Sequence, residues 1–233
     1  MSCLLCIDTS TDVCSVALCR DGIVLFDRED HSGPNHAERL GAFVDEAIAY
    51  ADGHGVRLEA VAVSGGPGSY TGLRIGVSMA KGLCYGRGLK LVAVPTLEVL
   101  AEAVLPLLDD MSADTLLCPM IDARRMEVYA AVYDRSPAVV RAVRADVVDE
   151  FTYKSYLDER PVCFFGNGAA KCMNVVNHPN ARLIKGIEPL ARNVMLPAER
   201  RIARGEYADV AYYEPFYLKE FVAGKPKTLK PER

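Results

Sequence analysis

The stretch S-G-G-P-G-S-Y-T-G-L-R-I-G, residues 64–76, decides how this chain is read. It follows EAVAVS, a short and almost continuously apolar run of the kind that forms a buried parallel strand. It leads into a helix expected over about residues 71–85. Its glycine density is that of a phosphate-binding loop, but each nucleotide template misses it. A P-loop needs GxxxxGK[ST], whereas Gly66 and Gly72 stand too far apart and Leu73 follows the second glycine. The dinucleotide form GxGxxG begins at Gly66 and Gly68, yet Gly72 comes one residue late. The nucleophile-elbow pattern GxSxG is absent from the stretch.

The expected helix carries two series of small residues at steps of four: Gly72, Gly76 and Ala80, and Ser78, Gly82 and Gly86. Each interior glycine costs about 1 kcal/mol relative to alanine, so a compensating reason is required. Small residues at i and i+4 let another helix or backbone approach closely. Two neighbours could exploit that closeness, a partner protein or the chain's own sheet. Arg74, Ser78 and Lys81 lie beside the first series.

Outward from this stretch the chain alternates strands and helices. CLLCIDTS, CSVALCR and IVLFDRED read as three strands joined by turns near residues 11–12 and 21–22. HAERLGAFVDEAIAYA shows helical periodicity, with Leu40, Phe43, Val44, Ala47, Ile48 and Ala51 on one stripe. Asn35 is its expected N-cap, Glu38 completes an approximate capping box, and Asp52-Gly53 is its expected end. LKLVAV reads as a strand, and PTLEVLAEAVLPLL as a helix opened by Pro95. After DDMSAD the pattern restarts. TLLCPMIDA and MEVYAAVYD read as strands around a turn at residues 123–125, and a stretch up to Tyr156 has no clear pattern. VCFFGNGAAK reads as strand, glycine turn and helix start, and AERRIARGE as a short helix. The tail EFVAGKPKTLKPER is expected to be loose, its lysines solvated. Two β-rich beginnings, near Leu4 and Leu116, predict two α/β lobes, residues 1–104 and 105–233, with the last helical segment able to pack back on the first lobe.

Composition narrows the functions. The net charge of −4 argues against a chain that binds nucleic acid alone, which would carry a basic excess. No apolar run reaches membrane-spanning length, and MSCLLCIDTS lacks the basic and apolar regions of a signal peptide, so a cytoplasmic location is expected. Cys3 and Cys6 have CxxC spacing but sit in a strand, where residues three apart point to opposite faces. The eight cysteines are therefore read as buried thiols and no metal is expected. HExxH is absent, and His31, His36, His54 and His178 are read as surface or capping side chains.

The segments CIDTSTDVCSVAL, HAERL, SGGPGSYTGLRIGVSMAKGL, VAVPTLEVLA, IDARRMEVYAAVYD and EPFYLKE, in this order, resemble the TsaB (YeaZ) family of bacterial tRNA threonylcarbamoyladenosine biosynthesis proteins. The resemblance implies a two-lobed actin/sugar-kinase/Hsp70-like (ASKHA), glycoprotease-like fold, each lobe a mixed sheet with flanking helices. It implies a noncatalytic subunit that binds and activates TsaD, joined by the ATPase TsaE, in forming N6-threonylcarbamoyladenosine at position 37 of ANN-decoding tRNAs. The tRNA is reached indirectly through the complex, and no cofactor or membrane is implied. The contact uses the first two helices, which also support homodimers. Here they carry His36, Glu38 and Arg39, then Thr71, Gly72, Arg74, Ile75, Gly76, Ser78, Met79, Lys81 and Gly82. On this view Gly76→Leu or Ala80→Arg abolishes partner binding without unfolding the chain.

The resemblance also locates departures from catalytic relatives. The HxxxH metal pair of TsaD falls on Thr96 and Leu100, and leucine cannot coordinate. The DxGxT phosphate turn of ASKHA ATPases is Asp8-Thr9-Ser10-Thr11, without its glycine. The second Asp-x-Gly turn is Asp122-Ala123-Arg124-Arg125. Asp8, Thr9, Ser10 and Asp122 are thus vestigial nucleotide-type positions, because phosphate reaches backbone N–H groups most easily past glycines. Gly166 to Gly168 is either a remnant of an adenosine loop or a simple turn, the turn being favoured. An extra Ser-Gly-Pro-Asn precedes His36. The competing readings are an ASKHA-type ATPase or phosphotransferase holding Mg²⁺–nucleotide at Asp8 and Asp122, and an inactive metallopeptidase-like protein.

Overall fold

The computed structural model describes residues 3–33 and 35–219. Strands β1 (Cys3–Asp8), β2 (Cys14–Arg20) and β3 (Ile23–Asp30) form an antiparallel meander. Helix α1 (His36–Gly53) crosses over to β4 (Leu58–Ser64), which pairs parallel with β1. Helix α2 (Tyr70–Arg87) crosses over to β5 (Lys90–Val94), parallel to β4. The first sheet therefore has the order β3-β2-β1-β4-β5. After α3 (Thr96–Val104) and one 3-10 turn the plan repeats. Strands β6 (Leu116–Asp122), β7 (Glu127–Tyr133) and β8 (Val139–Val147) form a second meander. Short helices α4 (Lys154–Leu157) and α5 (Ala169–Cys172) flank β9 (Val162–Phe165) and lead to β10 (Ala181–Leu183). The second order, β10-β9-β6-β7-β8, is the first one over again. This is the α/β architecture of two mixed sheets with flanking helices that the sequence implied.

Burial explains which segments became central. β1 is buried throughout and β4 nearly so, which is why both read as apolar runs without alternation. On one face Leu5, Ile7, Val61 and Val63 meet Leu40 and Val44 of α1 and Val77 and Ala80 of α2. On the other, Leu4, Cys6, Val92 and Val94 meet Val194, Met195 and Ala198 of α6 (Ala191–Ala203). Helix α3 lies between the sheets. Its Val99 joins the first sheet's core, and Leu97, Leu100 and Val104 pack with Leu117, Tyr133 and Phe165 of the second. Cys3 and Cys6 fall in cores on opposite faces, and all eight cysteines are free and buried. Burial pushes the Cys3 thiol up to about 11 and the Cys118 thiol up to about 12, so these are inert side chains.

Three local expectations need correction, and one holds. Asn35 occupies the N-cap of α1, but its side chain makes no cap bond and donates instead to Ser32 Oγ. The helix ends at Gly53 as expected, and the left-handed residue that follows is Gly55, at φ +64°. The patternless stretch before Tyr156 contains β8, an edge strand whose exposed face gives no apolar alternation. The helix read at AERRIARGE begins earlier, at Ala191, with Pro197 inside it rather than at its start. The tail EFVAGKPKTLKPER, residues 220–233, lies outside the described residues. Among the described residues, no helix is long and apolar enough to cross a membrane.

Candidate functional site

The glycine stretch has two faces, and they do different things. The inward face closes the first phosphate-type turn. Thr9 Oγ1 donates to the Gly72 carbonyl at 2.7 Å, and the Ser69 amide donates to the Ser10 carbonyl at 2.7 Å. A Cβ on Gly68 would overlap the Ser10 carbonyl oxygen, one on Gly72 the Thr9 carbonyl oxygen, and one on Gly76 the Thr9 hydroxyl. These glycines exist because the backbone of residues 8–11 lies against them. Ser69 caps α2 by accepting from the Gly72 amide at 3.2 Å, which fixes the helix on this turn.

Asp8, Thr9, Ser10 and Thr11 are all buried beneath the plug. The Asp8 carboxylate accepts from the Ser10 amide and hydroxyl at 2.9 Å each, and from the Ser64 hydroxyl. Burial pushes this carboxyl up to about 7, against the lowering effect of those bonds. His36, buried at the start of α1, directs Nε2 to the Thr11 carbonyl at 2.8 Å. The turn that the resemblance matches to a phosphate turn is here a packed polar core.

The second turn is closed differently. The Asp122 carboxylate accepts from Lys171 Nζ at 2.8 Å and from the Arg124 amide at 2.6 Å. Partial burial raises this carboxyl, but those two donors outweigh it and hold it below the usual carboxylate range. Gly166, at φ +92°, would carry a Cβ into the Met120 carbonyl oxygen, and Gly168 would crowd the Asp122 amide. The Gly168 amide donates to the Met120 carbonyl at 3.0 Å. Both glycines serve a turn packed on β6, the favoured of the two readings.

Between the sheets lies an apolar cavity of about 350 Å³, walled by Gly66, Pro95, Tyr133, Val143, Tyr213 and Phe216 among others. None of its lining residues is charged. Thr96 and Leu100 stand where TsaD is expected to carry its histidines. Leu100 is core, and Thr96 Oγ1 is buried with no hydrogen-bond partner among the described residues. Among those residues no group of three or more His, Cys, Asp or Glu is placed to hold a metal ion.

The outward face of α2 is open. A shallow groove of about 810 Å³ runs along it, formed by Thr71, Ile75, Ser78, Met79 and Gly82 with Ala37 of α1. Tyr70, Arg74 and Leu83 complete its lining. Gly82 and Gly86 have nothing within 4 Å of a would-be Cβ. Tyr85 is 87% exposed just beyond the groove.

These positions divide the residues assigned to the partner-facing surface. Thr71, Arg74, Ile75, Ser78, Met79 and Gly82 line the groove. Glu38 and Arg39 are exposed on α1, Arg39 paired with Asp30 at 2.8 Å. His36, Gly72 and Gly76 are buried against the chain's own first turn and present nothing outward. Lys81 is spent internally, donating to the carbonyls of Ala211 and Tyr213 at 3.0 and 2.9 Å. Gly76→Leu and Ala80→Arg would therefore disrupt the first turn and the core before they touched a partner, contrary to the expectation drawn from the resemblance. Ala37, Tyr70 and Leu83, which the sequence did not single out, also line the groove. The signal was present, since Ser78, Gly82 and Gly86 recur at steps of four on the side opposite Gly72, Gly76 and Ala80.

A family model for TsaD, tRNA N6-adenosine threonylcarbamoyltransferase, matches residues 30–224. The tRNA threonylcarbamoyladenosine biosynthesis protein TsaB of Bacillus subtilis (strain 168) is 32% identical over 167 residues, 70% of this chain and 70% of its own length. The protein of that name from Escherichia coli (strain K12) is 29% identical over 235 residues, 95% of this chain and 96% of its own. Among solved structures, YeaZ from Pseudomonas aeruginosa superposes with a TM-score of 0.77 at 27% identity, covering 94% of this chain and 100% of that one.

Proposed function

The chain belongs to the TsaB family, and from that premise we propose that it takes part in threonylcarbamoyladenosine biosynthesis as a noncatalytic subunit that binds and activates TsaD. The modification is formed at position 37 of ANN-decoding tRNAs, with the ATPase TsaE joining the pair. One observation carries this reading: the helix that plugs the phosphate-type turn with its inward glycines offers a small-residue groove with its outward ones. Ser78, Gly82 and Gly86 keep that face low enough for a second helix to approach closely. Ile75 and Met79 supply apolar surface, and Arg74 a cation at the rim. In the absence of TsaD the same groove pairs two copies of this chain. The uncharged cavity between the sheets and the buried Asp8 turn support a subunit without phosphoryl chemistry of its own.

The test places bulk on the outward stripe only. Ser78→Arg and Gly82→Arg add side chains where the free chain has room, so their melting temperatures should stay near that of the native protein. Both should lose co-elution with purified TsaD, and tRNA modification with TsaD and TsaE should fall to the level seen when this chain is omitted. Normal co-elution of both folded variants would place the partner elsewhere. Undiminished modification without this chain would contradict the role.

A further inference from the structure

The hairpin between β6 and β7 carries two arginines that neither the fold nor the groove uses. Its own charges balance, Asp122 and Glu127 against Arg124 and Arg125, and two lysines from elsewhere in the chain reach its base. Lys171 pairs with Asp122, and Lys219 pairs with Glu127. Lys171 also donates to the Glu127 carbonyl at 2.7 Å, which ties the base of the hairpin together. Both carboxylates are thereby matched by lysines. Arg124 and Arg125 are left over, both exposed, and neither guanidinium makes a hydrogen bond or ion pair among the described residues. With those lysines the six side chains carry two net positive charges, and Asp149 and Glu150 follow Val148, whose amide bonds the Met126 carbonyl of the turn.

The backbone gives a second, independent reason to take these arginines seriously. Arg124 has φ +73° and Arg125 φ +52°, the left-handed region that side chains with a Cβ rarely enter. In the four-residue connection 123–126, such positions suit glycine or asparagine. Two consecutive arginines there work against the local preference, which is common where a binding function holds the sequence. Packing offers no explanation, because both side chains lie in solvent.

We propose that the Arg124–Arg125 turn binds the phosphodiester backbone of RNA, giving this chain a direct contact with the tRNA. The inference rests on the tRNA-modification reading above for the identity of the RNA. Paired guanidinium groups match phosphate oxygens through forked N–H donors. The turn is an exposed hairpin tip rather than a walled cavity, so it can hold a backbone phosphate but cannot enclose a base. That favours a polynucleotide over a free nucleotide. Contacts of this kind position an RNA without reading its sequence.

The experiment uses the full chain with Arg124→Gly/Arg125→Gly. The double variant removes the charge and relieves the left-handed strain, so it should fold and melt at or above the native temperature. Labelled tRNA is titrated by fluorescence anisotropy over a range of salt concentrations. At low salt the native chain should bind about tenfold more tightly than the variant, and its salt dependence should be steeper by about 1.5 in log–log slope, as two lost phosphate contacts require. Arg124→Lys/Arg125→Lys should bind with intermediate affinity. Equal binding by the native and glycine chains, or no binding by the native chain at low salt, would overturn the proposal. So would full competition by ATP at matched phosphate concentration, which would make the turn a nucleotide site. The glycine variant should still co-elute with TsaD, and its loss there would reassign the turn to the protein interface. A native chain that binds tRNA through this turn but never meets TsaD would instead count against the proposed function alone.

Discussion

Gly72 and Asp8 show how much of this molecule is settled by single atoms. Gly72 has no room for a methyl group, because the Thr9 carbonyl oxygen occupies that place. Gly72→Ala should destabilise the chain by about 1–3 kcal/mol, the usual cost of overpacking against a rigid neighbour, read from the denaturant midpoint. Asp8 bears on pH. Its carboxyl titrates near 3.8 in the unfolded chain and near 7 in the folded one, because burial disfavours the anion more than Ser64 and Ser10 favour it. The folded state therefore holds a proton that the unfolded state has lost. Stability falls as pH rises from about 4 and the loss is complete above about 7, by on the order of 4 kcal/mol. Asp8→Asn keeps an acceptor for Ser10 and offers a donor to Ser64 without the charge. It should be more stable than the native chain at pH 8 and should flatten the stability profile between pH 4 and 7. An unchanged profile would mean that another group carries the titration.

At the scale of an element, α2 is a helix with a small-residue stripe on each side. The inward stripe fits the turn after β1, and the outward stripe has open space above it. A glycine in an exposed helix interior costs backbone entropy and gains no contact within the free chain. Gly82→Ala and Gly86→Ala should each stabilise the isolated protein by about 0.5–1 kcal/mol, visible as a rise in melting temperature. Loss of stability in either variant would show that the outward glycines serve this chain's own packing. The spacing of both stripes was legible in the sequence. Which stripe faced the sheet was not, because the neighbour of Gly72 is Thr9, 63 positions away. β8 was missed for a related reason. An edge strand with one solvated face and paired charges has little apolar alternation to read.

Across the whole molecule, α3 packs between the two sheets, and α6, seated on the first sheet, holds α3 by ion pairs. Glu98 and Glu102 on α3 face Arg200 and Arg201 on α6, with Arg201 Nη2 to Glu98 Oε2 at 2.6 Å. The Arg201 side chain is only 18% exposed, so removing its partner leaves a poorly solvated charge. Glu98→Ala should cost about 2 kcal/mol, and adding Arg201→Met should recover part of that loss in a double-mutant cycle. Additive losses would show that the two side chains contribute independently.

The sequence by itself determined that strands and helices alternate in two rounds, that Cys3 and Cys6 point apart, and that Gly72, Gly76 and Ala80 share one helix face. It also exposed the missing glycines in both phosphate-type turns. These features follow from local period and residue type, which act within a few positions along the chain. Only the tertiary structure decided that the inward glycines fill the first turn, that His36 and Lys81 are consumed internally, and that Ser78 and Gly82 remain outside. Each of these depends on which distant backbone comes to lie beside the helix, and that is fixed by the crossover from β4 through α2 to β5, not by spacing within α2.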